Sequence, residues 1–545
     1  MPEFSRRQFL QASAAAGSSL AFNPVGFATQ PSLLTPPRVL YSNDTTNITS
    51  CVSPWRERKD GFQDEHLRQT IREADGADVH LLQPGLGWIP WWQSERYSAR
   101  EHYEDFLRPL GVEKPHAYGR YLLAGGDLVE TLTDECAKQE ILPFVSYRLN
   151  DGHHTRKLAD ALEKGHPDQT MSRFYWENYE RFRIGDDITA WDQSVFDWRH
   201  PEVREHMAGL IEELCDTHEF AGLELDFLRH WSRFSLEHTS EEERREITTA
   251  FVKRIRRALD RKTFAGTRRW LGARVPALLD IHPDQGIDLG ELTREAGVDF
   301  VNLSYSYFTM QDDAVARTRA IVPPETAVYV EMTHTTLTGK ALSGSGTQPY
   351  LRTTPEQFYT TAHLAYEQGA TGVSFFNFAY YREHSLPELG PFHEPPFSVL
   401  KNVGDPEFVA RQSHWYFLSE GRRDPVLGDD KQLPALINRN APHRFTLFAS
   451  PTDLHQQDGL LRFRSPEDIS DRGLEGKLNG QPLKPAPFQP KPIDHPYDAW
   501  LGTPEEFACF HVPHALVKKG ENEIEFLVTA GIRVKLRYLD LTLPV

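Results

Sequence analysis

The stretch that decides the fold is Gly222-Leu-Glu-Leu-Asp-Phe-Leu-Arg-His-Trp231, preceded by Phe196-Asp-Trp-Arg-His-Pro-Glu-Val-Arg-Glu205. In the first stretch, apolar residues alternate with Glu224 and Asp226, which is the period of a β-strand. An unpaired charge is costly to bury. Two carboxylates on one face of a core strand therefore indicate a functional role. In a parallel α/β barrel, catalytic acids lie at the C-terminal ends of the strands. The stretch therefore predicts a barrel strand that ends at a functional site.

The residues before this strand predict the helix that leads into it. Apolar side chains recur there at helical spacing: Val203, Met207, Leu210, Ile211 and Leu214. Asp197 is expected to cap this helix.

Residues 196–231, FDWRHPEVREHMAGLIEELCDTHEFAGLELDFLRHW, resemble the central motif of the glycosyl hydrolase-like family ten proteins. In that family an Asp-Pro-x-x-Pro-Glu-Val-Arg helix leads to an Asp-Gly-Ile-x-Phe-Asp-Tyr-Ile-Arg-Tyr strand. This chain departs at Ala221, where the family has an acid, and at Trp198, where it has proline. The resemblance implies an exported bacterial TIM-barrel glycosidase-like protein. The alternative is that the acids only brace barrel loops through Arg229, because fold alone does not deliver function.

Length and composition restrict the class of protein. A chain of 545 residues suits a barrel with an accessory module. The net charge of -18 argues against nucleic acid or an anionic membrane as a partner. An anionic substrate stays open, because a local cleft can carry the opposite sign. The 11 Trp residues fit a saccharide partner, since flat aromatic rings suit the apolar faces of sugars.

The N-terminus predicts export. Ser5-Arg-Arg-Gln-Phe-Leu10 and the apolar, small-residue run that follows resemble a twin-arginine signal peptide over residues 1–28. A linker would cover 29–37, and the mature protein would be periplasmic or secreted, with no membrane insertion after signal removal. A disordered basic N-terminus in a cytoplasmic protein is the alternative.

Eight apolar runs, most of them followed by a helical pattern, predict a (β/α)8 barrel over residues 38–420. The runs are 39–41, 79–82, 143–147, 223–227, 271–275, 300–304, 328–331 and 373–376. A final helix is expected from Asp405-Pro406 to about Glu420. Short alternating runs over 434–545, divided by turn signals such as Asn479-Gly480, predict an all-β, jelly-roll-like sandwich that buttresses the barrel.

Three acids are candidates for catalysis. Asp226 lies nearer the barrel mouth than Glu224 and is the first choice, whereas Glu224 is expected to pair with Arg148 or Arg274. Glycoside hydrolysis needs two carboxyl groups, and Glu331 at the end of the seventh strand is the predicted second acid. A purely salt-bridged Glu331 is the alternative. If the carboxyl groups lie about 5 Å apart, Asp226 would act as the nucleophile and the anomeric configuration would be retained, which we favour; a separation of about 6.5–9.5 Å would leave room for water and give inversion.

Other polar and aromatic side chains at the predicted strand ends are candidates for binding the sugar. They are Arg229, His230, Arg148, Trp91, Trp92, Asn302, Tyr305, His334 and Asn377. His153 and His154 are adjacent and would point apart in a strand-like segment, and the chain has no His-Glu-x-x-His motif, so neither a metal site nor a cofactor is expected.

These observations predict an exported glycoside hydrolase that cleaves O-glycosidic bonds of an oligo- or polysaccharide with a carboxylate pair. A non-catalytic glycan-binding protein on a glycosidase scaffold is a second possibility, which Ala221 keeps open. A carbohydrate lyase acting on a uronic acid is a third. It would depend on arginine with tyrosine or histidine rather than on paired acids.

Overall fold

The computed structural model of the chain describes residues 35–44, 48, 61–338, 350–382, 394–420, 432–494 and 503–545. The predicted signal peptide and most of the predicted linker lie outside this part of the chain. Among the described helices, none combines the length and the apolar character that crossing a membrane requires.

Eight parallel strands form a closed barrel in which every strand pairs with its neighbours in chain order. They are β1 (Val39–Asn43), β2 (Val79–Leu82), β3 (Leu142–Arg148), β4 (Gly222–Asp226), β5 (Trp270–Pro276), β6 (Phe300–Ser304), β7 (Ala327–Thr333) and β8 (Gly372–Phe376). Each of the eight predicted runs is one of these strands. The predicted (β/α)8 barrel is therefore confirmed.

Helices connect the strands and surround the barrel. They are α1 (Asp64–Glu73), α2 (Ala117–Leu123), α3 (Leu128–Gln139), α4 (Leu158–Lys164), α5 (Arg173–Phe182), α6 (Trp191–Ser194), α7 (Pro201–Thr217), α8 (Glu241–Leu259), α9 (Leu289–Arg294), α10 (Ala314–Arg319), α11 (Pro355–Glu367) and α12 (Pro406–Ala410). The predicted apolar face of α7 is buried. Asp197 does not cap it: α7 begins at Pro201 with His200 in the cap position. The Asp197 carboxylate instead accepts the backbone N–H of Arg199 at 3.0 Å.

The N-terminal end of the barrel is closed by aromatic side chains. Phe144, Trp270, Phe300 and Tyr329 pack there in one buried cluster. Gly272 makes room for this packing, because a Cβ atom at that position would lie 1.9 Å from the Phe300 ring. With this end filled by apolar rings, the polar interior side chains are confined to the middle and to the C-terminal mouth.

The C-terminal region is antiparallel and all-β, as predicted. Its strands are β9 (His414–Ser419), β10 (Ala435–Asn438), β11 (His443–Ala449), β12 (Gly459–Arg464), β13 (Leu474–Leu478), β14 (Phe507–Val512), β15 (Gly520–Val528), β16 (Arg533–Leu536) and β17 (Tyr538–Leu543). One sheet contains β9, β17, β12 and β14, another contains β11, β15 and β13, and β10 pairs with β16. Phe463 and Phe526, from the two larger sheets, pack with ring centroids 4.3 Å apart. The finer jelly-roll assignment stays a prediction.

The expectation of a helix to about Glu420 is wrong. α12 ends at Ala410, and β9 pairs with β17 in the C-terminal sheet. The run His-Trp-Tyr-Phe-Leu-Ser is rich in aromatic residues, which favour strands. β9 also contacts the barrel: the Trp415 backbone N–H donates to Thr360 of α11 at 2.7 Å, and the Phe417 N–H donates to Gln311 at 2.9 Å. These bonds tie the β region to the barrel wall.

Candidate functional site

The deepest polar layer inside the barrel is built around Glu224 of β4. Its carboxylate accepts hydrogen bonds from Ser146 of β3 at 2.6 Å and from Asn302 of β6 at 3.0 Å. Burial raises the pKa of Glu224 to about 7, although the charge of Arg274 opposes the rise. The sequence predicts Arg148 or Arg274 as the partner of Glu224. Both of these arginines bond instead to other acids, so Glu224 is held by neutral groups.

The next layer toward the mouth is a buried triad in which Arg274 of β5 bridges the two predicted catalytic acids. Its guanidinium donates to Asp226 at 3.0 Å and to both oxygens of Glu331 at 2.7 and 2.6 Å. Asp226 and Glu331 are only 3% and 1% exposed. The other oxygen of Asp226 accepts the backbone N–H groups of Leu228 and Arg229 at 2.9 and 3.0 Å. Glu331 is thus the salt-bridged glutamate of the alternative interpretation.

A second buried ion pair lies at the end of β1. Arg148 of β3 lies 3.3 Å from Asp44, and Asn377, which follows β8, donates to the same carboxylate oxygen at 3.0 Å. Burial alone would raise the pKa of Asp44, but Arg148 and Asn377 hold it below its usual value. Asp44 is therefore an ionised acid. It is bonded to Arg148 and Asn377, which are two of the predicted sugar-binding residues.

Loops at the mouth assemble a chain of hydrogen bonds around Asp151. Its carboxylate accepts the backbone N–H of Gly87 at 3.0 Å and bonds to Nδ1 of His153, and Nδ1 of His230 lies 3.4 Å away. Nη2 of Arg229 lies 2.7 Å from Nε2 of His153. Since a guanidinium can only donate, this Nε2 accepts, and the ring proton is on the nitrogen facing Asp151. Burial lowers the pKa of both histidines, so both rings are neutral near pH 7.

Asp151, His153 and His230 are also the group of side chains that could hold a metal ion. One ligand atom from each lies within 4.8 Å of the other two. His154 turns away from this group and packs its ring 4.2 Å from that of Tyr175. The second histidine of the group is His230, which comes from the loop after β4. To bind a metal, His153 would have to give up the proton on Nδ1 while Arg229 donates to its other nitrogen, so the arrangement fits a hydrogen-bond chain better than a cation site.

A pocket with an empty volume of about 550 Å³ opens at this end of the barrel. It is lined by Arg156, Trp191, Leu228, Arg229, His230, Trp231, Arg274, Ser306, Tyr307 and Phe376. The lining combines aromatic rings with three arginines and includes no carboxylate. Two of the lining residues, His230 and Ser306, have positive φ angles of 51° and 64° although neither is a glycine. Such strained backbone concentrates at functional sites. We refer to this cavity as the mouth pocket.

The two tryptophans predicted to stack on sugar are buried packing residues. Trp91 and Trp92 are each 2% exposed. The Trp91 ring packs against Tyr118 with centroids 4.4 Å apart, and the Trp92 indole N–H donates to Glu213 at 3.3 Å. Neither lines the mouth pocket, because the loop after β2 folds inward onto the neighbouring helices. The aromatic walls of the pocket come from other loops.

The remaining predicted binding residues divide between the pocket and its surroundings. Arg229 and His230 line the pocket. Asn302 lies deeper, against Glu224, and the hydroxyl of Tyr305 donates to Asp312. His334 is buried with its ring 5.4 Å from that of Tyr380.

Several residues of the site were not predicted from the sequence. Asp44 and Asp151 each follow a barrel strand closely, and this position in the sequence could have identified them as residues of the site. Trp191 lies on a short helix far before β4, and Tyr307 lies two residues beyond the predicted Tyr305. For these two, only the folded loops bring the rings to the pocket.

Comparisons with known proteins give likenesses of fold. No family model matches the sequence, and no curated protein matches it. Among solved structures, the glycoside hydrolase domain of PgaB (BpsB) from Bordetella bronchiseptica aligns with 67% of this chain and 98% of its own, at 12% identity and a TM-score of 0.40. A glycoside hydrolase family 18 N-acetylglucosaminidase from Paenibacillus barengoltzii aligns with 68% of this chain and all of its own (100%), at 13% identity and a TM-score of 0.35.

Alpha-L-fucosidase isoenzyme 2 from Paenibacillus thiaminolyticus aligns with 67% of this chain and 48% of its own, at 9% identity and a TM-score of 0.39. These neighbours are glycoside hydrolases. At such identities and TM-scores the likeness carries no argument about substrate or catalysis, which depend on the side chains described above.

Proposed function

We propose that this chain is a glycoside hydrolase that cleaves O-glycosidic bonds of an oligo- or polysaccharide bound in the mouth pocket. The observation that carries the proposal is the position of Asp226. It ends β4 two residues before Leu228, which lines the pocket, and it bonds to Arg274, which lines that pocket as well. Strand ends at the C-terminal mouth are where barrel enzymes keep their catalytic groups. The resemblance to the family ten motif points to the same strand.

Asp226 accepts hydrogen bonds from a guanidinium and two backbone N–H groups, which hold its carboxylate in place. An ionised carboxylate beside the anomeric carbon stabilises the positive charge of an oxocarbenium-like transition state, or attacks that carbon directly. Glu331 is bound on both oxygens by Arg274, so we assign it to positioning Arg274 and, through it, Asp226. The leaving oxygen needs a proton, and Tyr307 and His230 are pocket-lining residues that carry one.

A second reaction, elimination from a uronic acid, is favoured by one observation. The pocket lining contains three arginines and no carboxylate. Elimination needs cationic donors on the substrate carboxylate, to stabilise charge that develops when a neighbouring proton is removed. Tyr307 or His230 would then act as the base. Hydrolysis and elimination both create new chain ends, but only elimination leaves an unsaturated sugar.

The test is a panel of neutral and acidic polysaccharides incubated with the purified protein in water labelled with oxygen-18. We expect reducing ends that carry one labelled oxygen for each bond cleaved. Asp226→Asn should abolish turnover and leave the thermal unfolding temperature nearly unchanged. The control is Asp299→Asn, which removes a buried carboxylate bonded to Arg256 and Arg268 at the opposite end of the barrel and should keep turnover.

Three outcomes would contradict the proposal. Unsaturated products without labelled oxygen would assign the lyase. Binding of glycans without any cleavage would assign the non-catalytic glycan-binding protein. Wild-type turnover by Asp226→Asn would remove this residue from the mechanism. For a hydrolase, proton NMR of the first anomer released decides whether Asp226 is a nucleophile, which requires retention.

We also propose export through the twin-arginine route, which rests on Ser5-Arg-Arg-Gln-Phe-Leu10 and the apolar run after it. Replacing Arg6 and Arg7 by lysine should leave the precursor in the cytoplasm in cell fractionation. Unchanged export of this variant would indicate another route.

A further inference from the structure

We infer that the mouth pocket recognises an anionic substituent of the sugar, a carboxylate or a sulfate ester, and that Arg229 is the residue that binds it. The inference deepens the proposed function, because it names the substrate class of the same pocket.

Arg229 lines the mouth pocket without an ion pair to a carboxylate of the described residues. Within the described residues its guanidinium donates to the neutral ring of His153 at 2.7 Å and lies 5.3 Å from the centroid of the Tyr307 ring, but it forms no ion pair. Its Nε is buried, and no hydrogen-bond acceptor for it lies within the described part of the chain. The half-buried Arg229 side chain thus lines the pocket with one donor unbonded, which is unusual because buried donors are normally bonded.

Two other buried arginines at the mouth are bonded to carboxylates, and a third, Arg233, donates to the backbone carbonyls of Phe227 and Gln285 and does not line the pocket. Arg274 bonds to Asp226 and Glu331, and Arg148 lies against Asp44. The charges of Asp44 and Asp151 help to raise the pKa of Arg229 against the effect of burial, but both carboxylates are bonded to other groups. Neither forms an ion pair with the Arg229 guanidinium, which can therefore still bond to an anionic ligand.

The surroundings of Arg229 suit an acidic sugar in particular. A guanidinium presents paired N–H groups that match a carboxylate or a sulfate, and a charge-assisted bond is stronger than one to a neutral hydroxyl. The rings of Trp231 and Tyr307 line the same pocket and offer apolar faces to a pyranose. Arg156 lines the pocket as well, at an exposed position. In a chain of net charge -18, selection for an anion therefore rests on Arg229 itself.

His153 acts as the positioning residue for Arg229. Asp151 fixes the tautomer of the imidazole, and the imidazole nitrogen accepts from the guanidinium. This contact holds one edge of the guanidinium at the pocket that Arg229 lines. No charge is neutralised by the contact, since the ring is neutral.

The experiment measures binding separately from cleavage. Isothermal titration of the full chain with glucuronate, glucose 6-sulfate and glucose should show that at least one of the acidic sugars binds at least about tenfold more tightly than glucose. Arg229→Gln should lose that preference, and Arg229→Lys should keep part of it. Arg439→Gln is the matched control, because it removes the same charge from the C-terminal region, where Arg439 donates to a backbone carbonyl.

Equal affinity for glucose and both acidic sugars, no detectable binding of either acidic sugar, or an unchanged preference in Arg229→Gln would each overturn the inference. A preference for glucuronate would identify a carboxylate as the ligand group, and a preference for the sulfate would identify an ester. The proposed function could fail while this inference holds. Acidic sugars would then bind through Arg229, but no polysaccharide would be cleaved. Cleavage confined to neutral polysaccharides would overturn the inference and leave the hydrolase intact.

Discussion

Substitution of Glu224 by glutamine should stabilise the protein in a pH-dependent way. Glu224 is fully buried at 0% exposure, and its pKa rises from the ordinary 4.5 to about 7 because burial disfavours its charge. Between these two values the folded chain holds a proton that the unfolded chain has released. The contribution of this group to stability is therefore complete below pH 4.5 and is lost as the pH rises through about 7. The loss corresponds to about 3 kcal/mol.

Glu224→Gln removes the charge while both neighbouring hydrogen bonds remain possible. The glutamine oxygen can accept from Asn302, and its amide N–H can donate to Ser146, whose hydroxyl also accepts. At pH 5 the variant should have nearly the free energy of unfolding of the wild type, since Glu224 is protonated there. At pH 8 it should be more stable by up to about 3 kcal/mol.

The assay is urea unfolding at pH 5 and pH 8, followed by tryptophan fluorescence and analysed for the barrel transition. Glu237→Gln, at an exposed position, is the control and should differ from the wild type equally at both pH values. A Glu224→Gln variant with the same stability difference at both pH values would refute the reasoning. So would a variant that is less stable than the wild type at pH 8.

Two further predictions concern residues that hold the barrel interior together. Arg274→Met should destabilise the barrel by about 3–5 kcal/mol in urea unfolding, because it leaves two buried carboxylates without their cation, and a loss below about 1 kcal/mol would contradict the triad. Gly272→Ala should cost about 1–3 kcal/mol in the same measurement, because its Cβ would lie 1.9 Å from the Phe300 ring. Combining it with Phe300→Leu should recover part of that loss, and a purely additive double variant would show that the contact is not the cause.

The barrel could be predicted from the sequence because each strand is a short apolar run between helical patterns. That signal is local, and it located all eight strands. It failed at His414–Ser419, where an aromatic run after α12 was assigned to a helix. The run is a strand because β17, more than a hundred residues later, supplies its partner, and no local pattern reports a partner so distant.

The carboxylates of the site could be found from the sequence, but their partners could not. Alternation along β4 puts Asp226 on the inward face, yet only the register between strands puts it beside Arg274. The bidentate bond from Arg274 to Glu331 then changes the role expected of that glutamate. The sequence likewise identifies Trp91 as a large aromatic side chain, but it does not show whether the ring faces the cleft or the core.

The assignment of catalysis to the mouth pocket can be examined with a crystal structure of the Asp226→Asn variant soaked with the oligosaccharide that the wild type cleaves fastest. We expect the sugar chain to lie in the mouth pocket against Trp231 and Tyr307, with its scissile oxygen or anomeric carbon in contact with residue 226. A sugar chain bound on the C-terminal β region, or bound in the pocket with its scissile bond out of reach of residue 226, would contradict the assignment.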